Sequence, residues 1–116
     1  MKNYKELEIY KRSYQNALKV HELTKTFPEE ERFDLTSQMR RCSKSIPTNI
    51  AEGYGRKSAD EFKRFLKISL GSCSEMEVHL SFAKDLGYIS ESIYAKYSKE
   101  NDEIGRMLNV TLQKWT

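Results

Sequence analysis

Residues 37–56, SQMRRCSKSIPTNIAEGYGR, contain the pattern that decides the fold. Apolar or small side chains recur in and just before this stretch at steps of three or four residues, the spacing of one helix face: Leu35, Met39, Cys42, Ile46, Ile50 and Gly53. The stripe continues across Pro47, which removes one backbone donor, so we expect one helix that is kinked at Pro47. Gly53, Tyr54 and Gly55 are expected to end this helix, with glycine adopting a positive φ.

Three further amphipathic stretches predict helices on either side of this one. The first runs from about Tyr4 to Thr26, with an expected core face of Leu7, Tyr10, Tyr14, Ala17, Leu18 and His21. The third follows a capping-box pattern at Ser58 and Glu61 and ends at Gly87, with a core face of Phe62, Phe65, Leu66, Ser69, Cys73, Met76, Leu80 and Ala83. The fourth begins near Ser90, with Ile93, Tyr97, Ile104, Leu108, Thr111 and Trp115 on one face. Short turns between four helices predict an all-α fold, one domain over residues 1–116 that forms an up-down-up-down antiparallel four-helix bundle.

The composition is typical of one small globular domain. Of the 116 residues 32% are charged, and the formal net charge is only +3. That charge is uneven, because residues 36–70 carry eight basic and three acidic side chains while the flanking thirds are balanced or slightly acidic. The amino-terminal residues have no apolar segment, so we expect a cytoplasmic protein with no membrane partner. Cys42 and Cys73 both fall on apolar stripes, which predicts reduced core thiols.

A second apolar stripe on the third helix predicts self-association. Its members lie opposite the core stripe at steps of three and four, and they include a glycine that permits close approach: Ile68, Gly71, Glu75, Val78 and Phe82. The first helix carries a weaker counterpart at Ile9, Val20 and Leu23, for which scattered surface aliphatics are the alternative interpretation. The first and third helices of an up-down bundle are diagonal, so a contact between the two patches is heterologous and builds a ring if it closes.

The basic residues of the middle third form the candidate binding surface. Three lie on the polar side of the second helix and the rest occupy the next loop and the first half of the third helix: Arg40, Arg41, Lys44, Arg56, Lys57, Lys63, Arg64 and Lys67. Such a surface can engage the phosphates of RNA or DNA, and a ring would repeat it. The alternative is an ordinary solvated face that Glu52, Asp60 and Glu61 partly neutralise. Only Tyr54 is available for stacking on bases, so sequence-specific recognition is not indicated.

The sequence assigns no catalytic residue, no cofactor and no metal site. A di-metal site in a four-helix bundle needs a Glu-x-x-His pair on each of two helices, and neither His21 nor His79 has a glutamate three residues before it. Glu75 and His79 are four apart and could share a metal, but an ion pair or hydrogen bond on one helix is the simpler interpretation. His21 is interpreted as a hydrogen-bonded core residue. Asn49 and Glu52 are interpreted as partners of loose backbone groups or of an interface.

Several segments, in order, resemble a known family. They are FPEEERFDLTSQMRR at 27–41, SIPTNIAEGYGR at 45–56, EFKRFLKISLGSCSE at 61–75 and a late LGYI at 86–89. These segments resemble the bacterial four-helix-bundle proteins encoded by intervening sequences within large-subunit ribosomal RNA genes. The same superfamily includes the accessory variability determinant of diversity-generating retroelements, a barrel-shaped homopentamer that binds nucleic acid and a reverse transcriptase.

The resemblance implies a four-helix protomer, ring assembly and no known enzymatic activity. Two features depart from the family pattern: Ser69 stands where alanine is more usual, and a net charge of +3 is well below that of the strongly basic retroelement branch. We therefore expect a non-enzymatic homo-oligomer, pentameric by resemblance, that acts as a nucleic-acid-binding or ribosome-associated accessory factor through its basic face. The alternatives are a protein–protein scaffold with no nucleic-acid role and a metal-dependent enzyme in the bundle core. The expected partners are further copies of itself, RNA or DNA, and a reverse transcriptase or a ribosomal component.

Overall fold

Helices account for most of residues 3–115, the part of the chain described by a computed structural model. They are α1 (Glu8–Thr24), α2 (Leu35–Gly55), α3 (Ala59–Asp85) and α4 (Glu91–Lys114), with short 3-10 turns at Tyr4–Glu6 and Glu29–Glu31. No strand occurs within this range, which confirms the all-α prediction. The domain predicted for residues 1–116 includes residues 1, 2 and 116, which lie outside the described part. None of the described helices combines the length and the apolar character needed to cross a membrane.

The four helices pack in chain order around a core made of two hydrophobic clusters. Backbone contacts join α1 to α2, α2 to α3 and α3 to α4, and a thinner seam joins α4 back to α1. No comparably close approach joins α1 to α3 within the described residues, so these two helices are diagonal. The 27 residues of α3 extend over about 40 Å at 1.5 Å per residue, which matches the longest dimension of the molecule, 42 Å. The molecule is therefore a bundle one helix long, as predicted.

Helix α2 continues without interruption through Pro47. Proline cannot donate to the helical ladder, and side-chain donors bind the carbonyls of the two residues that precede Pro47. Asn49 Nδ2 donates to the carbonyl of Ser45 at 2.8 Å, and Ser69 Oγ on α3 donates to the carbonyl of Ile46 at 2.9 Å. The carbonyl that loses its ladder donor at Pro47 is that of Ser43, four residues back. The interpretation of Asn49 as the partner of a loose backbone group therefore stays a prediction, as does the bend usually associated with proline.

The carboxyl end of α2 differs from the prediction. Gly53 and Gly55 both belong to the helix, and the residue with a positive φ, 56°, is Lys57. Gly53 is required by packing instead, because a Cβ there would lie 2.6 Å from the Cβ of Phe65 on α3. The expectation that glycine leaves this helix with a positive φ was therefore wrong: the glycine allows two helices to approach closely.

The predicted ends and faces of α3 and α4 are confirmed in most respects. The hydroxyls of Ser58 and Ser90 accept hydrogen bonds from the backbone N–H groups three residues on, at 3.3 and 3.1 Å, and Gly87 follows α3 with a φ of 81°. All eight residues of the predicted α3 core stripe are buried. On α4 Ile104 and Leu108 are buried, whereas Trp115 at its end is exposed.

The buried face of α1 is not the predicted one. Tyr14 and Leu18 are 45% and 49% exposed, and His21 is exposed as well, so it is not a core residue. The buried positions are Ile9, Ser13, Asn16, Ala17, Val20 and Thr24. The real core stripe therefore lies to one side of the predicted one, and half of it is polar.

This rotation of α1 overturns the apolar surface stripe predicted for it. Ile9 and Val20 are 5% and 0% exposed and belong to the core, and Leu23 packs against the core from a half-buried position. Ser13 and Thr24 can share that buried face because their hydroxyls donate to carbonyls one turn back, at 2.7 and 3.0 Å. A buried hydroxyl satisfied in this way costs little. The prediction that Ile9, Val20 and Leu23 form an interface was wrong for this physical reason.

Candidate functional site

The eight predicted cations do not all face solvent as free charges. Three of them are neutralised by the three carboxylates of the same region, with N–O distances of 3.0 to 3.8 Å. Arg64 and, less directly, Arg56 hold the pKa of Glu61 below its usual value, mainly through the hydrogen bond from Arg64. The ion pairs are Arg56–Glu52, Arg56–Glu61, Lys63–Asp60 and Arg64–Glu61.

The other five cations make no ion pair with any described residue. Arg40 is used structurally, because its Nε donates to Thr24 Oγ1 at 2.7 Å and its Nη2 donates to the carbonyl of His21 at 3.3 Å, which joins α2 to α1. The remaining four are exposed. Arg41 and Lys44, three positions apart, lie on the outer side of α2. Lys57 lies in the α2–α3 turn, and Lys67 lies on α3.

A second basic surface, which the charge distribution along the sequence did not predict, lies between α1 and α4. Lys19, Lys96 and Lys99 line one groove of about 310 Å³ together with Tyr97. None of the three lysines makes an ion pair with the described residues, and all three are exposed. They come from opposite ends of the sequence, and the carboxyl-terminal third has more acidic than basic residues. Only the packing of α4 against α1 reveals this cluster, so local charge counts could not have found it.

The acidic groups of that same groove are held by one arginine. Arg12 on α1 donates to Glu100 on α4 from both Nε and Nη2, at 2.9 and 3.0 Å, and Nη2 also contacts Glu103. The hydrogen bond from Arg12 is the main cause that lowers the pKa of Glu100. The seam between α1 and α4 is thus closed by a charge-assisted bridge, which is stronger than a neutral hydrogen bond.

The outer stripe predicted for α3 is exposed in the protomer. Ile68, Val78 and Phe82 are 41%, 54% and 55% exposed, and Gly71 and Glu75 between them are exposed too. No atom of the described protein would meet a Cβ at Gly71 within 4 Å. The stripe is therefore an accessible apolar surface, and its role in assembly stays a prediction.

A second apolar surface occupies the groove between α1 and α2. The groove has a volume of about 550 Å³. Three tyrosines line one side of it in a row, with ring centroids 4.9 Å apart for Tyr4 and Tyr10 and 5.7 Å apart for Tyr10 and Tyr14. Leu18 and Pro47 contribute further apolar surface. Sequence reasoning named Tyr10, Tyr14 and Leu18 but placed them in the core, so it missed this groove.

The two thiols are buried and free, as predicted. Burial raises the pKa of Cys42 to about 12 and that of Cys73 to about 11, so neither thiol is an activated nucleophile. The predicted contact between His79 and Glu75 is present, with Nε2 and Oε2 3.2 Å apart. Cys42 on α2 lies beside this pair. Cys42 is far from Glu75 and His79 in the sequence, so spacing along the chain did not predict this contact.

Comparison with known proteins agrees with this description. A crystal structure of a protein of unknown function from the S23 ribosomal protein family of Bacteroides thetaiotaomicron superposes with a TM-score of 0.84 at 25% sequence identity, covering 90% of this chain and 95% of that one. No curated protein is significantly similar. The family model described as 23S rRNA-intervening sequence protein matches residues 5–110, and neither description names an enzymatic activity. Because that match spans nearly the whole chain, the chain belongs to the 23S rRNA-intervening sequence protein family.

Proposed function

We propose that this chain is a non-enzymatic, homo-oligomeric accessory protein that binds RNA through its α2–α3 side. The observation that carries the proposal is the set of exposed cations that no described carboxylate neutralises: Arg41, Lys44, Lys57 and Lys67. Free lysine and arginine side chains bind phosphates with release of counterions, whereas ion-paired ones must first lose their carboxylate partners. The names of the family and of the similar structure refer to ribosomal RNA and to a ribosomal protein family, which favours RNA as the ligand.

Assembly is part of the proposal because a single protomer has little net charge. At +3 it offers few phosphate contacts, but several linked copies would raise the effective concentration of the free cations along one polymer. Each copy presents the apolar stripe of α3 and the apolar groove of α1 and α2, which belong to different sides of the bundle. We propose that the stripe of one copy, centred on Val78 and Phe82, packs into the groove of the next, at Tyr14 and Leu18. Such a heterologous contact forms a ring when it closes.

The number of copies and the further partner rest on the family resemblance. A five-membered ring would correspond to the retroelement accessory protein. A ribosomal component fits the low net charge better than a reverse transcriptase does, because the retroelement branch is strongly basic. DNA binding and a purely scaffolding role are the competing outcomes of the experiment below.

The test compares two double charge reversals with the same change in net charge. Arg41→Glu/Lys44→Glu removes free cations from α2, and Lys96→Glu/Lys99→Glu removes free cations from the groove at α4. Because Lys44 also lines the α1–α2 groove, light scattering checks that the first variant still assembles like the wild type. Binding to a structured RNA and to a duplex DNA is measured over a salt series. We expect wild-type affinity for the RNA to fall with a logarithmic slope of about 0.7 to 0.9 per phosphate contacted. The α2 variant should have a shallower slope and the larger loss of affinity.

Three results would contradict the proposal. A larger loss in the α4 variant would move the binding surface to the α1–α4 groove. Tighter binding to duplex DNA than to RNA would make DNA, and not RNA, the ligand. Absence of binding at low salt would leave a protein–protein scaffold as the function.

A further inference from the structure

Three potential metal ligands of different chemistry converge where α2 packs against α3. Cys42 comes from α2, and Glu75 and His79 come from successive turns of α3. One ligand atom of each residue lies within 4.8 Å of the corresponding atoms of the other two. The residues are 33 or more positions apart between the two helices, so only the register of α2 on α3 brings the sulfur to the imidazole and the carboxylate.

The spacing of these atoms suits a small tetrahedral ion. Nitrogen and oxygen ligands that stand about 2.0 to 2.2 Å from Zn²⁺ are roughly 3.3 to 3.5 Å from each other at the tetrahedral angle. His79 Nε2 and Glu75 Oε2 are already 3.2 Å apart. The sulfur, with its longer bond of about 2.3 Å, would stand roughly 3.6 Å from the nitrogen and the oxygen; it now lies within 4.8 Å of both, so it has to approach them by at most about 1.2 Å.

Two of the three side chains are buried, and the third is exposed to solvent. Cys42 and His79 are 5% and 7% exposed, whereas the Glu75 side chain is 60% exposed. Glu75 is the one described hydrogen-bond partner of the His79 ring. A buried imidazole whose described partner is an exposed carboxylate has room for a further bond, and an ion bound between them would hold both side chains. The exposed carboxylate also provides a path by which an ion reaches the two buried ligands.

We propose that Cys42, Glu75 and His79 bind a divalent transition-metal ion, with Zn²⁺ as the best fit and with water in the fourth position. A thiolate, an imidazole and a carboxylate are the three ligand types that zinc uses. Calcium and magnesium are disfavoured, because both prefer sets made only of oxygen ligands. This proposal does not rest on RNA binding, and all three ligands come from one protomer, although Glu75 also belongs to the α3 stripe.

Binding of the metal ion releases one proton from the protein. The S–H bond of Cys42 is replaced by a bond between sulfur and the metal, and one proton leaves to solvent. The thiol now donates to the carbonyl of Ser72 at 3.1 Å, and that hydrogen bond is given up. Without a metal, burial and the charges of Glu75 and Cys73 disfavour the thiolate, whereas a dication beside the sulfur reverses this preference.

A bound ion would act as a clamp between α2 and α3 and need not be catalytic. Its ligands join one residue of α2 to two of α3, so binding would stabilise the packing of these helices by mass action. The site contains one ion and lies near the surface of the protomer. It therefore differs from the di-metal core site whose Glu-x-x-His pairs are missing from the described residues.

The experiment uses the full chain, treated with a chelator and then titrated with Co²⁺ as a spectroscopic substitute for Zn²⁺. We expect one equivalent per protomer, a sulfur-to-cobalt charge-transfer band, visible bands of tetrahedral intensity, and loss of all these bands when Zn²⁺ is added. Cys42→Ser should remove the charge-transfer band, and His79→Gln and Glu75→Gln should each weaken binding at least about tenfold. Cys73→Ser is the matched control, because that thiol is buried in α3 but is not part of the cluster.

Folding is checked for every variant by far-ultraviolet circular dichroism. Glu75→Gln keeps the proposal testable even if a buried substitution fails to fold, because Glu75 is mostly exposed. Absence of saturable binding by the wild type would overturn the proposal. A charge-transfer band that survives in Cys42→Ser, or one that disappears only in Cys73→Ser, would overturn it as well.

Discussion

At the scale of single residues, Gly53 controls how closely α2 approaches α3. The distance of 2.6 Å between a Cβ at this position and the Cβ of Phe65 is too short for any side-chain rotation to relieve, because both atoms are fixed to the backbone. Phe62 Cδ1, at 3.3 Å, crowds the same spot. Adding one methyl group therefore requires the two helices to move apart over a well-packed contact.

We predict that Gly53→Ala lowers the free energy of unfolding by about 1 to 3 kcal/mol, the usual range for overpacking a core. Gly55→Ala is the matched control on the same helix, because no atom lies within 4 Å of its added Cβ. Urea denaturation of both variants measures the difference. Equal stabilities would mean that α2 and α3 separate at little cost and that Gly53 is not needed for close packing.

At the scale of helices, the buried faces differ in how clearly their sequences reveal them. The stripes of α2 and α3 consist mainly of large apolar residues at helical spacing, so periodicity locates them correctly. The buried face of α1 includes Ser13, Asn16 and Thr24, while its exposed side carries Tyr14 and Leu18. Hydropathy alone therefore selects the wrong side of α1, because the hydroxyls of Ser13 and Thr24 are satisfied inside their own helix.

The candidate sites were harder to predict than the helices, because their residues come from different helices. The proposed zinc ligands and the groove lysines each come from two helices, and their proximity depends on the relative register of those helices. Cys42 was assigned to the core correctly, but the sequence could not show that His79 lies next to it. Local spacing detects contacts on one helix, such as Glu75 with His79, and misses contacts between helices.

The seam between α1 and α4 leads to a prediction about pH. The pKa of Glu100 is lowered in the folded protein, chiefly by the hydrogen bond from Arg12. A carboxylate of this kind adds stability above its unfolded pKa, about 4.3 for glutamate, and loses that contribution as the pH falls through the lower folded pKa. Glu100→Gln should therefore reduce stability at pH 7 by about 1 kcal/mol or less, since the pair is partly exposed. The difference from wild type should shrink below about pH 4.3.

Denaturation at a series of pH values measures this effect, and Asp102→Asn serves as its control. Asp102 pairs with Arg106 on the same helix, and the two side chains are 62% and 78% exposed. Such pairs contribute about 0.5 kcal/mol or less, so this variant should follow the wild type at every pH. A Glu100→Gln variant that is as stable as wild type at pH 7 would show that Glu103 alone can hold Arg12.

At the scale of the whole molecule, the position of the two apolar surfaces determines what kind of assembly is possible. The α3 stripe and the α1–α2 groove belong to different sides of the bundle, so each copy has two different apolar surfaces that can bind another copy. A heterologous contact pairs the stripe of one copy with the groove of another. One groove and one stripe stay unpaired at the two ends of such a chain of copies until a ring closes. A twofold dimer would instead pair α3 stripe with α3 stripe and leave the groove empty.

Two single substitutions distinguish these arrangements. Phe82→Glu spoils the α3 stripe and Leu18→Glu spoils the groove, and both residues are exposed enough, at 55% and 49%, to leave the protomer folded. For a heterologous ring we predict that each variant alone is a monomer by light scattering. An equimolar mixture should form a one-to-one dimer, because the intact groove of the first accepts the intact stripe of the second and the remaining surfaces are both damaged. If the protein is instead a twofold dimer through α3, Leu18→Glu should still dimerise, and mixing the two variants should produce no new species. A wild type that is monomeric at micromolar concentration would exclude both arrangements.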